Sequence, residues 1–320
     1  MASMTENPTT AAAGLRDLRD AVDAYRTCEL ATMSRSGVPI TWPAVCTVSP
    51  AADRIILTTS ISFPQKAFNI RRDPRVALLF SDPTGTGRTD LPQILVRGTA
   101  TCPQEIHTGT QGMTEYWRRL AGRQPSSRGY VANALGRWLF DWYYMRLVIT
   151  VTPLEVIRTP RDAPAGPMTA PRIGRSEDGA FARLCRELPG FSSAVLATAA
   201  VDEPPVLRRV RLHADRSAGG FMIQGGRDLA AGPASLLLHR HDDLLSNQRQ
   251  LGVLGALAKP EDRWLFRPDR LLPNMFPDNP IEMMRTLCRA RGSAARYLER
   301  RGLERPAIDW AAHRACEVAA

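Results

Sequence analysis

Apolar residues open the chain at helical spacing: Leu15, Leu18, Val22 and Tyr25 predict an amphipathic helix over residues 14–27. The pattern then shortens to that of strands. Residues 30–33, 39–48 and 54–59 are apolar and β-branched, and turn-forming residues at 34–37 and 49–53 separate them. Pro39 and Pro43 in the second run mark an edge strand or a bulge. Ser62-Phe63-Pro64-Gln65 reads as a capping box with proline in the first turn of a short helix, which ends at Asp73-Pro74. Two more strands follow at 75–80 and 93–101, joined by a loop at 82–87 that reads as a turn. Helical spacing returns with Met113, Tyr116, Trp117 and Leu120, and again with Val131, Leu135, Trp138 and Leu139. Strand character resumes over 146–158. Short strands, tight turns and a crossing helix predict a small, mainly antiparallel barrel.

The second half repeats this order. Leu30-Ala31-Thr32 returns as Leu196-Ala197-Thr198 and Pro39 as Pro205, at one common offset. Residues 76–80 resemble 234–238, 93–100 resemble 250–257, and 152–156 resemble 267–271. Four weak matches in the same order point to a duplicated fold. The helical insert shrinks to a turn at 258–263, and the lysine-bearing helix start has no counterpart: Gly-rich residues 226–234 stand there. The resulting fold class is α+β, mainly β: two tandem split barrels, the second degenerate, plus a helical C-terminal segment. The expected boundaries are a disordered 1–13, a first barrel over 14–158, a proline-rich linker over 159–175, a second barrel over 176–275 and a helical extension over 276–320. In that extension Ile281, Met284, Leu287 and Cys288 form a stripe expected to pack on a barrel or a partner subunit.

Lys66 is the first residue that calls for chemistry. Only two lysines, Lys66 and Lys259, stand among 42 basic residues. Lys66 falls in the first turn of the short helix, where the helix end already carries partial positive charge. Bare amides beside an ammonium suit an anion between them, so a phosphate pocket stands against a plain solvated lysine. Composition adds bounds. A net charge of +10 permits acidic partners, but the arginines are scattered, and no nucleic-acid partner is expected. Six cysteines lie far apart with no CxxC, as in reduced cytosolic thiols, and the expected compartment is cytoplasmic. The longest apolar run, 138–151, is broken by Asp141 and Arg146 and is too short to span a membrane. His239-x-His241 lacks a third ligand nearby and reads as a strand end rather than a metal site. Trp138, Trp142, Tyr143 and Tyr144 read mostly as core, with room for one ring to face a ligand.

Taken together, Leu30-Ala31-Thr32, Gly37-x-Pro39, Ile56-Leu57-Thr58-Thr59 and Lys66-x-x-Asn69-Ile70-Arg71-Arg72-Asp73-Pro74-Arg75-Val76-Ala77-Leu78 resemble the FMN-binding split β-barrels. These are the pyridoxamine 5'-phosphate oxidase-like proteins and their deazaflavin-dependent relatives. The resemblance covers residues 27–157, and 192–272 look like a degenerate second copy. It implies a cofactor, FMN or alternatively deazaflavin, whose phosphate is gripped by Thr58, Thr59, Ser60 and Lys66, with Gln65 near. It also implies that Trp42, Pro43, Ala44 and Val45 run beside the flavin ring. Two departures weaken the match: the Thr59-to-Lys66 spacing is one residue longer than the common pattern, and Gln65 stands where a second basic residue is usual. Such sites form where two barrels pack, here as an intrachain pseudo-dimer or a homodimer. The implied activity is hydride transfer to or from a small organic substrate, with no protein acid or base assigned. The alternatives are a non-catalytic FMN- or haem-binding sensor or carrier, and an interaction protein with an empty pocket.

Overall fold

The computed structural model describes residues 8–161, 166–174, 177–224, 229–273 and 279–318. Residues 1–7 of the expected disordered start lie outside these. Residues 8–13 are helical instead, within α1 (Pro8–Asp17), and a break around Leu18 separates α1 from α2 (Arg19–Ala24). The first β unit contains β1 (Cys28–Met33), β2 (Pro39–Ala44), β3 (Cys46–Val48), β4 (Ile55–Ser60), β5 (Arg75–Phe80), β6 (Gln93–Thr101) and β7 (Arg146–Thr159). Helix α3 (Gln65–Arg72) follows β4. Between β6 and β7 lie α4 (Thr114–Arg123), α5 (Gly129–Ala132) and α6 (Ala134–Tyr144). After α7 (Ala180–Glu187), the second unit contains β8 (Ala194–Thr198), β9 (Val206–Asp215), β10 (Gly220–Gln224), β11 (Gly232–Arg240), β12 (Arg249–Ala258) and β13 (Leu265–Leu271). Helices α8 (Pro280–Glu299) and α9 (Trp310–Val318) close the chain.

The two units repeat one topology. The first sheet runs β2-β1-β5-β6-β7-β4-β3; the second runs β9-β8-β11-β12-β13-β10 and closes into a barrel. Registers agree as well: Leu30 faces Trp42 and Leu78, while Leu196 faces Arg208 and Leu236. Each unit slips register at one glycine, Gly98 opposite Pro153 and Gly255 opposite Pro268. The units differ where β9 runs unbroken, pairing first with β8 and then with β10. Its equivalent in the first unit breaks at Val45 into β2 and β3, the two ends of that sheet. The expected edge or bulge at Pro39 and Pro43 is therefore the end strand β2, next to that break.

Each unit has its own core, and a third apolar cluster lies between them. It joins Ala31, Ala77, Leu79 and Leu95 of the first unit to Val195, Ala197, Leu207 and Leu237 of the second. At its edge sits a buried charged cluster. The Glu29 carboxylate, with no solvent exposure, accepts from Arg209 Nη2 at 2.6 Å, His239 Nε2 at 2.8 Å and Ser81 Oγ at 3.1 Å. Asp82 and His241 lie beside it, their charged atoms 3.8 Å apart. His239 and His241 thus bind acids across the unit boundary, and the described residues hold no metal-ligating cluster.

Of the C-terminal stripe, one member packs on the first unit. Leu287 packs against the first core with Ala290, Ala294, Tyr297 and Leu298, whereas Ile281, Met284 and Cys288 are exposed. The covered face is rotated because α8 lies over α6 and the open side of the first unit, where Arg291 binds Asp141.

Candidate functional site

A cavity of about 900 Å³ opens where the first unit, the β11–β12 connection and α8 meet. Strand β4 ends at its wall, the β2–β3 break forms another side, and α3 starts beside both. Eight of the nine sequence-predicted residues line it: Trp42, Pro43, Ala44, Val45, Thr58, Thr59, Ser60 and Lys66. Gln65 does not. Its amide donates to Asn69 Oδ1 at 2.8 Å, and the side chain is exposed.

The expected capping box is absent, for a local reason. The Phe63 amide turns back to the Ser60 carbonyl and the Thr59 hydroxyl donates to the Phe63 carbonyl, so the chain is still in a tight turn at Ser62. The helix begins only at Gln65, after Pro64, and Ser62 Oγ is buried without a partner. Lys66 therefore remains in the first turn, where helix amides lack helical acceptors.

The three hydroxyls are already oriented. Thr58 Oγ1 donates to the Tyr116 hydroxyl at 2.9 Å, and Ser60 Oγ donates to the Trp142 carbonyl at 2.6 Å. Each keeps acceptor capacity. Lys66 Nζ lies 5.8 Å from the centre of the Trp42 ring and has no ion-pair partner among the described residues. Burial pushes its pKa down to about 8, and the nearby Arg146 charge adds to the shift. Trp142 and Tyr143 line the cavity, so two rings of the expected aromatic group face it. Tyr144 instead stacks on Trp117, and Trp138 is 58% exposed beneath the Arg291 guanidinium. The loop at 82–87 is the plain turn expected; Gly85 and Gly87 take positive φ, and the loop does not line the cavity.

Three contributors escaped the sequence. Arg146, 7% exposed, lines the wall with its guanidinium 4.1 Å from the Tyr143 ring centre. Its signal was an arginine inside an apolar run, a charge that is costly to bury without a use. The β11–β12 connection supplies residues 240–242 and 245–250, held in shape by Asp242, whose carboxylate accepts from the amides of Leu244, Ser246 and Asn247. Helix α8 supplies Met283, Thr286, Leu287 and Ala290. Only the three-dimensional meeting of distant segments brings these two to the site.

No family model and no curated protein matches this chain. Solved structures share similarity over less than half of it. A conserved hypothetical protein of Mycobacterium tuberculosis is 24% identical over 45% of this chain and 83% of its own, at a TM-score of 0.32. An F420 reductase is 18% identical over 43% and 94%, at 0.29. The haem storage protein HutZ of Vibrio cholerae is 11% identical over 45% and 92%, at 0.31. Scores of this size carry no inference about the site or its ligand. No helix among the described residues is long and apolar enough to cross a membrane.

Proposed function

We propose that the chain is a flavin- or deazaflavin-dependent oxidoreductase that moves a hydride between its cofactor and a small organic substrate. One observation carries this reading: three separate segments, 42–45, 58–60 and Lys66, chosen on the resemblance to FMN-binding barrels, converge on one cavity. The donor set suits such a cofactor. Lys66 and the first amides of α3 offer positive charge to a phosphate, while Trp42 and Tyr143 offer aromatic surface to a planar ring. The bound cofactor would supply the hydride chemistry. The protein's part is to orient it, with Thr58 and Ser60 accepting hydrogen bonds and Lys66 holding the anionic end, and to exclude water. Asp242 is the one acid in the described wall, and backbone amides already occupy it. The arrangement thus favours hydride transfer over acid–base hydrolysis. Haem finds less support, because both ring nitrogens of His241 are engaged, Nδ1 with the Asp242 carbonyl and Nε2 with Thr27.

The absorbance of the purified protein, before and after adding FMN, tests the first half of this reading. Turnover of NAD(P)H or reduced deazaflavin by the loaded protein tests the second. A protein that takes up neither cofactor would end the proposal. Lys66→Ala is expected to weaken FMN binding on the order of tenfold or more with the fold intact, as for loss of one charge-assisted hydrogen bond. Fluorescence titration measures it, and unchanged affinity removes Lys66 from the site. The pH profile should follow the same group. Lys66 is protonated below about 8, so affinity for FMN is expected to hold at lower pH and fall as pH rises past that value.

A further inference from the structure

Arg146 is a buried cation that the protein itself satisfies only in part: it meets Tyr143 but no acid among the described residues. It opens β7 and lies opposite Ser60 in the register with β4, which directs it to the same wall as the predicted phosphate grip. Its Nε and Nη2 atoms are buried with no hydrogen-bond partner. The rings of Tyr143 and Trp117 back its guanidinium at 4.1 and 5.4 Å, and the residue lines the cavity wall. No carboxylate pairs with it among the described residues, although arginine elsewhere in this chain commonly finds one, as at Asp73, Glu155 and Asp141. Another cation of the same wall, Lys66, likewise has no ion-pair partner among the described residues, and the Arg146 charge helps to lower its pKa. Two unpaired cations in one partly enclosed wall raise the energy of the empty protein, and an oxyanion carrying two charges would relieve both.

The geometry points to Arg146 as an anion-binding residue that works with Lys66 to hold a dianionic oxyanion of the phosphomonoester type. It stands in, from a different strand, for the basic residue that Gln65 replaces at the helix start. This rests on the cavity being a ligand site, but not on flavin being the ligand. The anion belongs either to a nucleotide-like cofactor or to a phosphorylated substrate; the chemistry recognised is the same.

The test uses full-length protein and thermal unfolding with inorganic phosphate, against acetate and sodium chloride at matched ionic strength. Phosphate is expected to raise the wild-type melting temperature by ~3 °C or more above either control. Arg146→Met is expected to lose that rise without melting lower than wild type in the absence of phosphate, because it removes an unpaired buried charge. Lys66→Met should lose part of the rise, and Arg146→Lys should keep part. A purely structural arginine would instead give an Arg146→Met protein that melts well below wild type. An Arg146→Met protein that responds to phosphate as wild type does, or a wild type that ignores phosphate, overturns the proposal. If Arg146→Met does not fold, loss of the response in Arg146→Gln decides, and its retention overturns. Binding of FMN against riboflavin locates the source. A preference for FMN that drops at least ~10-fold in Arg146→Met assigns the anion to the cofactor; an unchanged preference alongside a lost phosphate response assigns it to the substrate. Failure to bind any flavin, with the phosphate response intact, removes the flavin reading and leaves this one standing.

Discussion

Glu29→Val is expected to cost roughly 3–5 kcal/mol of stability, as for removal of one partner from a buried ion pair. The carboxylate is fully buried and binds two side chains of the second unit, Arg209 and His239. Arg209 gives its other donors to Ser81 and Ser193, and Asp82 is the acid left beside it, so the lost charge is replaced only in part. Shape is not the obstacle, because Val195 holds the equivalent register position in β8. The effect should therefore be electrostatic, and the double variant Glu29→Val/Arg209→Met should recover much of the loss. Urea unfolding of the two proteins measures both; a single variant within about 1 kcal/mol of wild type would refute this. Acid should act on the same boundary. Burial by itself raises the Asp82 pKa, but the charges of Arg209, His239 and His241 outweigh it and bring the value down to about 2. The stabilisation from Asp82 is then complete above its unfolded pKa near 4 and is lost as pH falls through about 2.

The same boundary explains why the second unit matters to the site. The acids Glu29 and Asp82 lie on the first unit, and Arg209, His239 and His241 on the second. This pairing fixes how the β11–β12 connection lies against the first unit, and that connection forms one wall of the cavity. Replacing Glu29 should thus disturb ligand binding as well as stability.

How much of this was readable in advance depended on whether the information was local. Strand periods and turn residues located both β units, because alternating burial and proline or glycine punctuation act over a few residues. The repeated strand order was readable because the same registers impose the same short patterns, down to the glycine and proline at each bulge. Lys66 was readable as an oddity of charge. The helix start was misjudged because Ser62-x-x-Gln65 satisfies a local rule that the turn at Ser60–Phe63 overrides. Arg146 left a signal, a charge inside an apolar run, whereas the β11–β12 connection and α8 were beyond reach, since their roles depend on which distant segments close around the cavity. Ile281 and Met284 lie off the first unit for the same reason: the face of α8 that packs on it is set by what it lands on.

Gly98→Ala and Gly255→Ala are each expected to destabilise the chain on the order of 3 kcal/mol. Neither glycine has positive φ, so backbone strain is not the cause. Each sits at its unit's register slip, where the neighbouring strand approaches closely. A Cβ on Gly98 would fall deep inside contact with the Thr152 carbonyl oxygen, and one on Gly255 would do the same with that of Arg267. Both obstacles are backbone, so relief requires moving a strand rather than a side chain. Gly129→Ala is the control: a Cβ there meets nothing within 4 Å, and its φ of −63° is helical. It should leave stability unchanged or raise it slightly. Thermal or urea unfolding of the three variants gives the comparison. Matched losses at Gly98 and Gly255 would mean that the two bulges make the same demand on the backbone. A tolerated alanine at either would mean that the strands there part more easily than their pairing implies.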